Sequence, residues 1–372
     1  MSEGPQIAIP AVYMRGGTSR ALLFHARDLP GGTLDARDDW APIFAAALGS
    51  PDPRERQLDG MGGGISSLSK VAVIAPSEHP DADVEYLFGQ VSVQGTTVSY
   101  RGNCGNISSA VGPFAIDEGL AAAAGETALV RIRHTVSGKI IHASFPLEDG
   151  RAAVHGDFAI QGVAGTGAAV QLDFLDPGGS ATGKLLPTGR AAETIQVRGT
   201  AAIQVSLVDA ANPVVFADAR SFGLSGQETP AELAADKNLL AQFEALRAAA
   251  AVAMGLIETE EEAYTKVINI PLVALISPVA DGTADLRVRM ISTGQPHKAV
   301  PLTGAMCTAV AARLPGTLVS AAIGSEAADP LRIAHASGIL PVDAEVIDGI
   351  ARRVTVFRTA RRLMDGRVFV PR

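Results

Sequence analysis

Apolar residues recur along this chain in short runs, many alternating with polar neighbours, and glycines break the runs at frequent intervals. Alternation with period two puts successive side chains on opposite faces of a strand. On that basis AIPAVYM (8–14), RALLFH (20–25), KVAVIAP (70–76), VEYLFGQVSV (84–93), ALVRIRH (128–134) and KIIHASF (139–145) read as strands. Further on, TIQVRG, AIQVSLVDA, NPVVFADA, VINIPLVALIS and DLRVRMIS read the same way, as do segments around Arg332, Val342 and 352–358. Helical spacing appears in three places. The first follows Cys104, in GNISSAVGPFAIDEGLAAAA, where Pro113 is expected to bend or interrupt the helix. The longest is PAELAADKNLLAQFEALRAAAAVAMGL, with Thr229 as N-cap, Pro230 at the first helical position and Glu232 completing a capping box. The third is TGAMCTAVAARL.

Both halves thus share one phrase: strands, a glycine-containing turn, then a helix opening on small residues. The turn is GNCGN in the first half and PLTGA in the second, so a structural repeat is expected. A length of 372 residues exceeds one ordinary core, and loop chemistry thickens between Gly162 and Thr188. Two domains are expected, 1–186 and 187–372, with the last strand able to return to the first.

Composition narrows the function classes. Apolar residues make up 47% and aromatics 5%, so aliphatic side chains must fill the cores. A net charge of -8 argues against a general nucleic-acid binder but leaves room for a locally positive site taking a small anion. Two cysteines, Cys104 and Cys307, are too few for a disulfide framework, which points to a reducing, cytoplasmic setting. No signal core opens the sequence, and AAAAVAMGLI, the longest apolar run, is too short to span a membrane. The seven histidines show no metal-ligand spacing. GGSATGKL (178–185) imitates a phosphate loop but has Leu185 where Ser or Thr is required.

Three constellations can carry chemistry. In RGNCGN the thiol of Cys104 stands at a helix entrance, where unsatisfied N–H groups favour the thiolate. Gly102 and Gly105 allow close approach of a ligand, while Asn103 and Asn106 can cap N–H groups or bind substrate. In GMGGGISSLSK a glycine-dense loop runs into a strand opening with Ser66, Ser67 and Ser69 and then Lys70. In MRGGTSR, Arg15 can read a carboxylate, and Thr18 and Ser19 offer hydroxyls and backbone N–H groups to an anion. The second half adds His297, Lys298, Thr303 and Gly304 ahead of and within its helix. Cys307 falls inside the apolar pattern AMCTAVAA and reads as helix core.

MRGGTSR, QLDGMGGGISSLSK, VEYLFGQV, RGNCGNISSAVGPFAIDEGL, HKAVPLTGA and RTARRLMDGRVFVP together resemble the PrpF family, in family order over nearly the whole chain. The resemblance implies a relative of diaminopimelate epimerase: an α/β (α+β) fold of two similar domains, each a β-barrel-like sheet around a central helix, with the site between them. It implies a cofactor-independent isomerase of unsaturated di- or tricarboxylates, of the methylaconitate, methylitaconate or oxalomesaconate type. Its proton-transfer residues map onto Lys70 and Cys104, and the second thiol of the related epimerases falls at Pro301–Thr303, where none stands. Arg20 replaces the lysine that commonly follows R-G-G-T-S. The expected partner is a small anionic polycarboxylate, with neither nucleic acid nor membrane; the oligomeric state is open, a homodimer included. Two rival readings remain at this point: an accessory partner of an aconitase-like iron–sulfur enzyme, and an amino-acid racemase or epimerase.

Overall fold

The structure, a computed structural model, describes residues 5–100, 102–324 and 327–372. The chain divides into two compact units, one of residues 1–173 with 357–372 and the other of 174–356. The division thus falls at Asp173/Phe174, ahead of the 186/187 crossing read from loop composition. The glycine- and proline-rich stretch that suggested a linker is divided between the units, 162–173 in the first and 174–188 in the second.

In the first unit, strand β1 (Gln6–Gly16) turns through Gly17–Thr18 into the antiparallel β2 (Ser19–His25). β2 runs parallel to β3 (Lys70–Pro76), which pairs antiparallel with β4 (Val84–Val91). β4 lies parallel to strand Thr127–His134, and that strand is antiparallel to Ile140–Glu148. On its other edge β1 pairs antiparallel with the final strand, Ala360–Pro371, along its whole length from Gln6 opposite Pro371 to Gly16 opposite Ala360.

Two helices use the two faces of these strands. Leu22, Phe24, Val71, Val73 and Leu87 point into a core with Trp40, Phe44 and Leu48, the last two from helix α1 (Ala41–Leu48). The sequence reading missed α1, whose clearest signal is Gly49 in the left-handed conformation at its C-terminus. The opposite face receives helix α2 (Gly105–Asp117), which packs on β1, β2, β3, the Thr127–His134 and Ile140–Glu148 strands, and the final strand. Period two therefore assigns Lys70, Ala72 and Ile74 to the α2 side. α2 runs unbroken through Pro113, and Gly112 is where it presses on Ala143 and Phe145: a Cβ there would meet Ala143 Cβ at 2.9 Å.

The second unit repeats the same order of pairings. Ile203–Ala210 is antiparallel to Asn212–Asp218, which runs parallel to Leu272–Ser277. That strand is antiparallel to Leu286–Ser292, which is parallel to Leu331–His335, itself antiparallel to Gly338–Ile347. The Leu302–Ala312 helix follows the fourth strand, as α2 does, and packs on Ile203–Ala210, Asn212–Asp218 and Gly338–Ile347. The long helix expected after Thr229 has its capping box but divides into Pro230–Ala235 and Lys237–Ala253. Asp236 causes the break: its carboxylate accepts hydrogen bonds from Asn238 N and Leu239 N, both at 3.0 Å, and starts the second helix.

The phosphate-loop mimic carries its own anion. Asp209, fully buried, accepts from the hydroxyl of Ser180 (2.5 Å), the backbone N–H groups of Ala181 (2.9 Å) and Thr182 (2.7 Å), and the Thr182 hydroxyl (2.9 Å). A carboxylate, not a bound phosphate, satisfies the loop. Asp209→Asn is expected to lower the unfolding free energy by about 1–3 kcal/mol, because one acceptor oxygen becomes a donor facing donors; urea denaturation would read this directly. Among the described residues, no helix is long and apolar enough to cross a membrane.

Candidate active site

The site assembles where β3, β4 and the start of α2 meet. Ser66–Leu68 forms a turn of 3-10 helix, so Ser66 and Ser67 precede the strand instead of opening it, and β3 begins at Lys70 itself. Register then decides the neighbours of Lys70. Gln90 lies directly across from it on β4, and Phe88, two residues away, shares the same face.

Lys70 is buried, 8% exposed, with its ammonium 4.9 Å from the centre of the Phe88 ring. Nζ donates to Gln90 Oε1 at 2.5 Å. The Gln90 amide is itself fixed, because Nε2 donates to the carbonyls of Ser66 (3.1 Å) and Ser69 (2.9 Å). Among the described residues no carboxylate pairs with Lys70. Burial holds its pKa below the ordinary 10.5, opposed by the charge and hydrogen bonding of Cys104. Cys104 is the N-cap residue of α2, with extended backbone, and is buried at 9% exposure. Lys70 and Cys104 are thus side by side, within hydrogen-bonding reach of each other.

Two buried neighbours of the pair are uncharged. Tyr86 is buried, and burial followed by the charge of Cys104 pushes its phenol well above the ordinary range. Its ring meets His134 edge-on at 5.7 Å, and burial pushes that imidazole down to about 4. Both therefore stay uncharged at neutral pH. The Ser108 hydroxyl reaches Cys104 O at 3.1 Å and Asn103 Oδ1 at 3.3 Å, which ties Asn103 to the first turn of the helix.

The MRGGTSR turn packs against the same helix end. Asn106 Nδ2 donates to Thr18 Oγ1 at 3.2 Å, and Thr18 N donates to Asn106 Oδ1 at 3.4 Å. A Cβ on Gly16 would strike the Asn106 carbonyl, and one on Gly17 (φ +50°) would strike Asn106 Oδ1. These glycines are there to admit the start of α2. Gly17→Ala should therefore cost about 1–3 kcal/mol of stability and depress turnover by displacing Asn106, which thermal melting and rate assays on one preparation would show together. Arg15 donates to the carbonyls of Gly17 (3.0 Å) and Thr359 (2.9 Å). Ser19 is buried opposite Gly16 in the hairpin, and Arg20 lies 5.6 Å over the Tyr13 ring. Gly105 is the first residue of α2, and Arg101, which opens the RGNCGN motif, lies outside the described residues.

The remaining candidates belong to the second unit. Thr303, buried in the first turn of the Leu302–Ala312 helix, accepts at Oγ1 from Asn212 Nδ2 at 2.9 Å. Gly304 is pressed on Met290 and Leu272, so its small size serves packing. His297 is half-buried and accepts from Ala299 N through Nδ1 at 3.1 Å; Lys298 is exposed and its carbonyl accepts from the Ser337 hydroxyl. No thiol stands at this helix start. Cys307 is fully buried one turn further along, 3.4 Å from Val208 O, with its thiol pushed well above the usual range by burial. It therefore stays protonated in the core.

Sequence reasoning missed Gln90, Phe88 and Tyr86. All three sit in VEYLFGQV, recognised only as part of a motif, and their roles follow from the β3–β4 register. Among the described residues, no group of three or more His, Cys, Asp or Glu side chains is placed to hold a metal ion.

Comparison with known proteins agrees with this architecture. The PrpF protein family profile matches residues 6–371. The 3-methylitaconate isomerase of Eubacterium barkeri is 41% identical over 380 residues, covering 98% of each chain. The 2-methyl-aconitate isomerase of Cupriavidus necator is 39% identical over 396 residues, covering 100% of this chain and 99% of the relative. The (4E)-oxalomesaconate Delta-isomerase of Novosphingobium sp. (strain KA1) is 39% identical over 364 residues, covering 97% of each. The crystal structure of a methylitaconate-delta-isomerase superposes with a TM-score of 0.80 at 39% identity, covering 99% of this chain and 97% of that one. A hydroxyproline epimerase from Agrobacterium vitis, 13% identical and covering 98% of this chain and 93% of its own, shares the fold with a TM-score of 0.58. Because the PrpF profile runs from strand β1 to the final strand and these isomerases are 39–41% identical over 97% or more of the chain, the chain belongs to the PrpF family and is an isomerase.

Proposed function

We propose that this isomerase acts on an unsaturated di- or tricarboxylate of the methylitaconate, 2-methylaconitate or oxalomesaconate type, by allylic proton transfer between Lys70 and Cys104. The observation that carries the reading is a buried lysine with a lowered pKa, held by Gln90 and lying against a helix-capping cysteine. Burial makes the neutral amine of Lys70 available as a base.

The chemistry balances without an added reagent. Lys70 Nζ takes a proton from the carbon next to the alkene, and the C–H electron pair spreads into a dienolate. Cys104 Sγ–H delivers a proton to the far carbon of the allylic system. The double bond has then moved, or has rotated if the proton returns to the original carbon. Direct contact between the two groups lets the ammonium return its proton to the thiolate and reset the pair. In this scheme the N–H groups at the start of α2 stabilise the enolate charge.

The test is proton NMR in deuterated water with the purified chain alone and three substrates: 3-methylitaconate, 2-methylaconitate and 4-oxalomesaconate. Isomerisation of at least one, with solvent deuterium entering the product, is the expected result. Absence of turnover on all three without an added protein would favour the accessory-partner reading and sink this one.

A further inference from the structure

Arg358 is 8% exposed and has no carboxylate partner among the described residues. Its Nε donates to Asn106 Oδ1 at 3.2 Å and its Nη1 to Phe357 O at 2.8 Å, while Nη2 has no partner among the described residues. Burial pulls its pKa down to about 10, as expected for a cation held largely out of water with no counter-ion beside it. Such a group is costly to keep, because a buried charge ordinarily requires a partner.

The surroundings increase the positive potential. Asn106, which receives Arg358, is the second residue of α2, two positions from Cys104, and its amide is shared with Thr18. Arg15 is also without a carboxylate among the described residues, and its pKa is lowered by burial and then by the charge of Arg361. Gly17 leaves the space, since a Cβ there would lie 3.1 Å from Arg358 Cδ. No ion pair joins Arg15 or Arg358 to a carboxylate among the described residues, and the acids of α2, Asp117 and its C-cap Glu118, stand at the opposite end of the helix, where they pair with Arg362. Arg15 bonds Gly17, Arg358 bonds Asn106 and the exposed Thr18 hydroxyl bonds Asn106, so all three groups sit about the Gly17–Asn106 contact at the start of α2, with no carboxylate paired to either guanidinium among the described residues.

We infer that Arg358, with Arg15, Thr18 and Asn106, forms the receptor for a substrate carboxylate that takes no part in bond making. The inference rests on the polycarboxylate reading above and identifies the residues that make a second carboxylate a requirement. It assigns Arg358 to binding and orientation, with its free Nη2 edge completing an ion pair only when substrate is present. Anchoring there fixes the allylic carbons relative to Lys70 and Cys104.

The probe is tricarballylate, a saturated tricarboxylate that cannot isomerise, titrated calorimetrically into the full chain and its variants. Arg358→Gln is expected to weaken binding by about tenfold or more, with Arg358→Lys intermediate because it keeps charge but loses the planar donor pair. With a turned-over substrate, KM should rise by a similar factor while kcat changes less, and added ethylguanidinium should partly restore Arg358→Ala. A merely structural arginine would not give guanidinium rescue or that KM–kcat split. If Arg358→Gln fails to fold, Arg358→Lys and the rescue carry the decision. Unchanged tricarballylate affinity in a folded variant, or no binding to the unaltered chain, would overturn the proposal. Arg358-dependent binding without isomerisation of any of the three substrates would uphold the receptor and reject the proton-transfer chemistry.

Discussion

Lys70→Ala is expected to abolish isomerisation, lowering kcat by about a thousandfold or more, and to remove solvent deuterium incorporation with it. Both losses follow from one cause: the neutral amine is the group placed to take the allylic proton. Near-normal deuterium uptake in Lys70→Ala would end the assignment. Cys104→Ala should be comparably damaging, and the double variant little worse than either single one, since the two residues act as a unit. The pH profile carries a sign. Burial depresses the folded-state pKa of Lys70 below 10.5, so the rising acid limb of kcat/KM should lie below the ordinary lysine range. Cys104 opposes that shift, so in Cys104→Ala any residual proton exchange should show its limb at still lower pH.

The second large effect concerns stability, and it sets two buried cations apart. Arg247, 3% exposed, bonds to Glu244 through Nε (3.1 and 2.9 Å) and to the carbonyls of Val267 (2.8 Å), Ile270 (3.2 Å) and Ala263 (3.0 Å). Arg247→Met should cost about 3–5 kcal/mol, because it strands three buried carbonyls and unpairs a carboxylate. Lys70→Met removes a cation whose protonated form is disfavoured by burial, and should cost no more than about 1 kcal/mol. Linkage gives a further check. With the folded pKa depressed below the unfolded one, the unfolded chain binds more protons between the two values, so stability rises with pH across that window. The unaltered chain should therefore gain on Lys70→Met as pH approaches 10.5, measured by urea titration at several pH values. An Arg247→Met variant as stable as the unaltered chain would show that the carbonyls find other donors.

Much of the fold was legible because its strands are written with period two and closed by glycine turns. The repeat was legible too, from one phrase occurring twice, although little identity accompanies it. Two helices show where local reading stops. α1 is short and almost wholly apolar, so it lacks the polar face that marks an amphipathic helix. The helix after Thr229 looked continuous because helix formers lie on both sides of Asp236, yet that side chain caps more favourably than it continues. Pro113 was expected to bend or interrupt α2, which instead continues through the proline, packed on the strands of its unit.

At the site, Lys70, Cys104, Thr18 and Asn106 were readable from motif and turn chemistry. Gln90 and Phe88 were not, because an orienting amide opposite a lysine depends on strand register, which no single strand encodes. Arg358 was hidden for a different reason. In sequence it is one arginine among several near the end of the chain; burial without a counter-ion is a property of the folded unit alone.

The pairing of the first strand with the last has a consequence for biosynthesis. During vectorial synthesis the segment 174–356 emerges whole and can fold as soon as it is clear of the ribosome. The first unit, although made earlier, lacks its Ala360–Pro371 strand and Arg358 until the final residues appear. β1 must wait with an open edge through the synthesis of the whole second unit. Such an edge invites pairing with other chains. Proline at position 10, within β1, removes one backbone donor from that waiting strand.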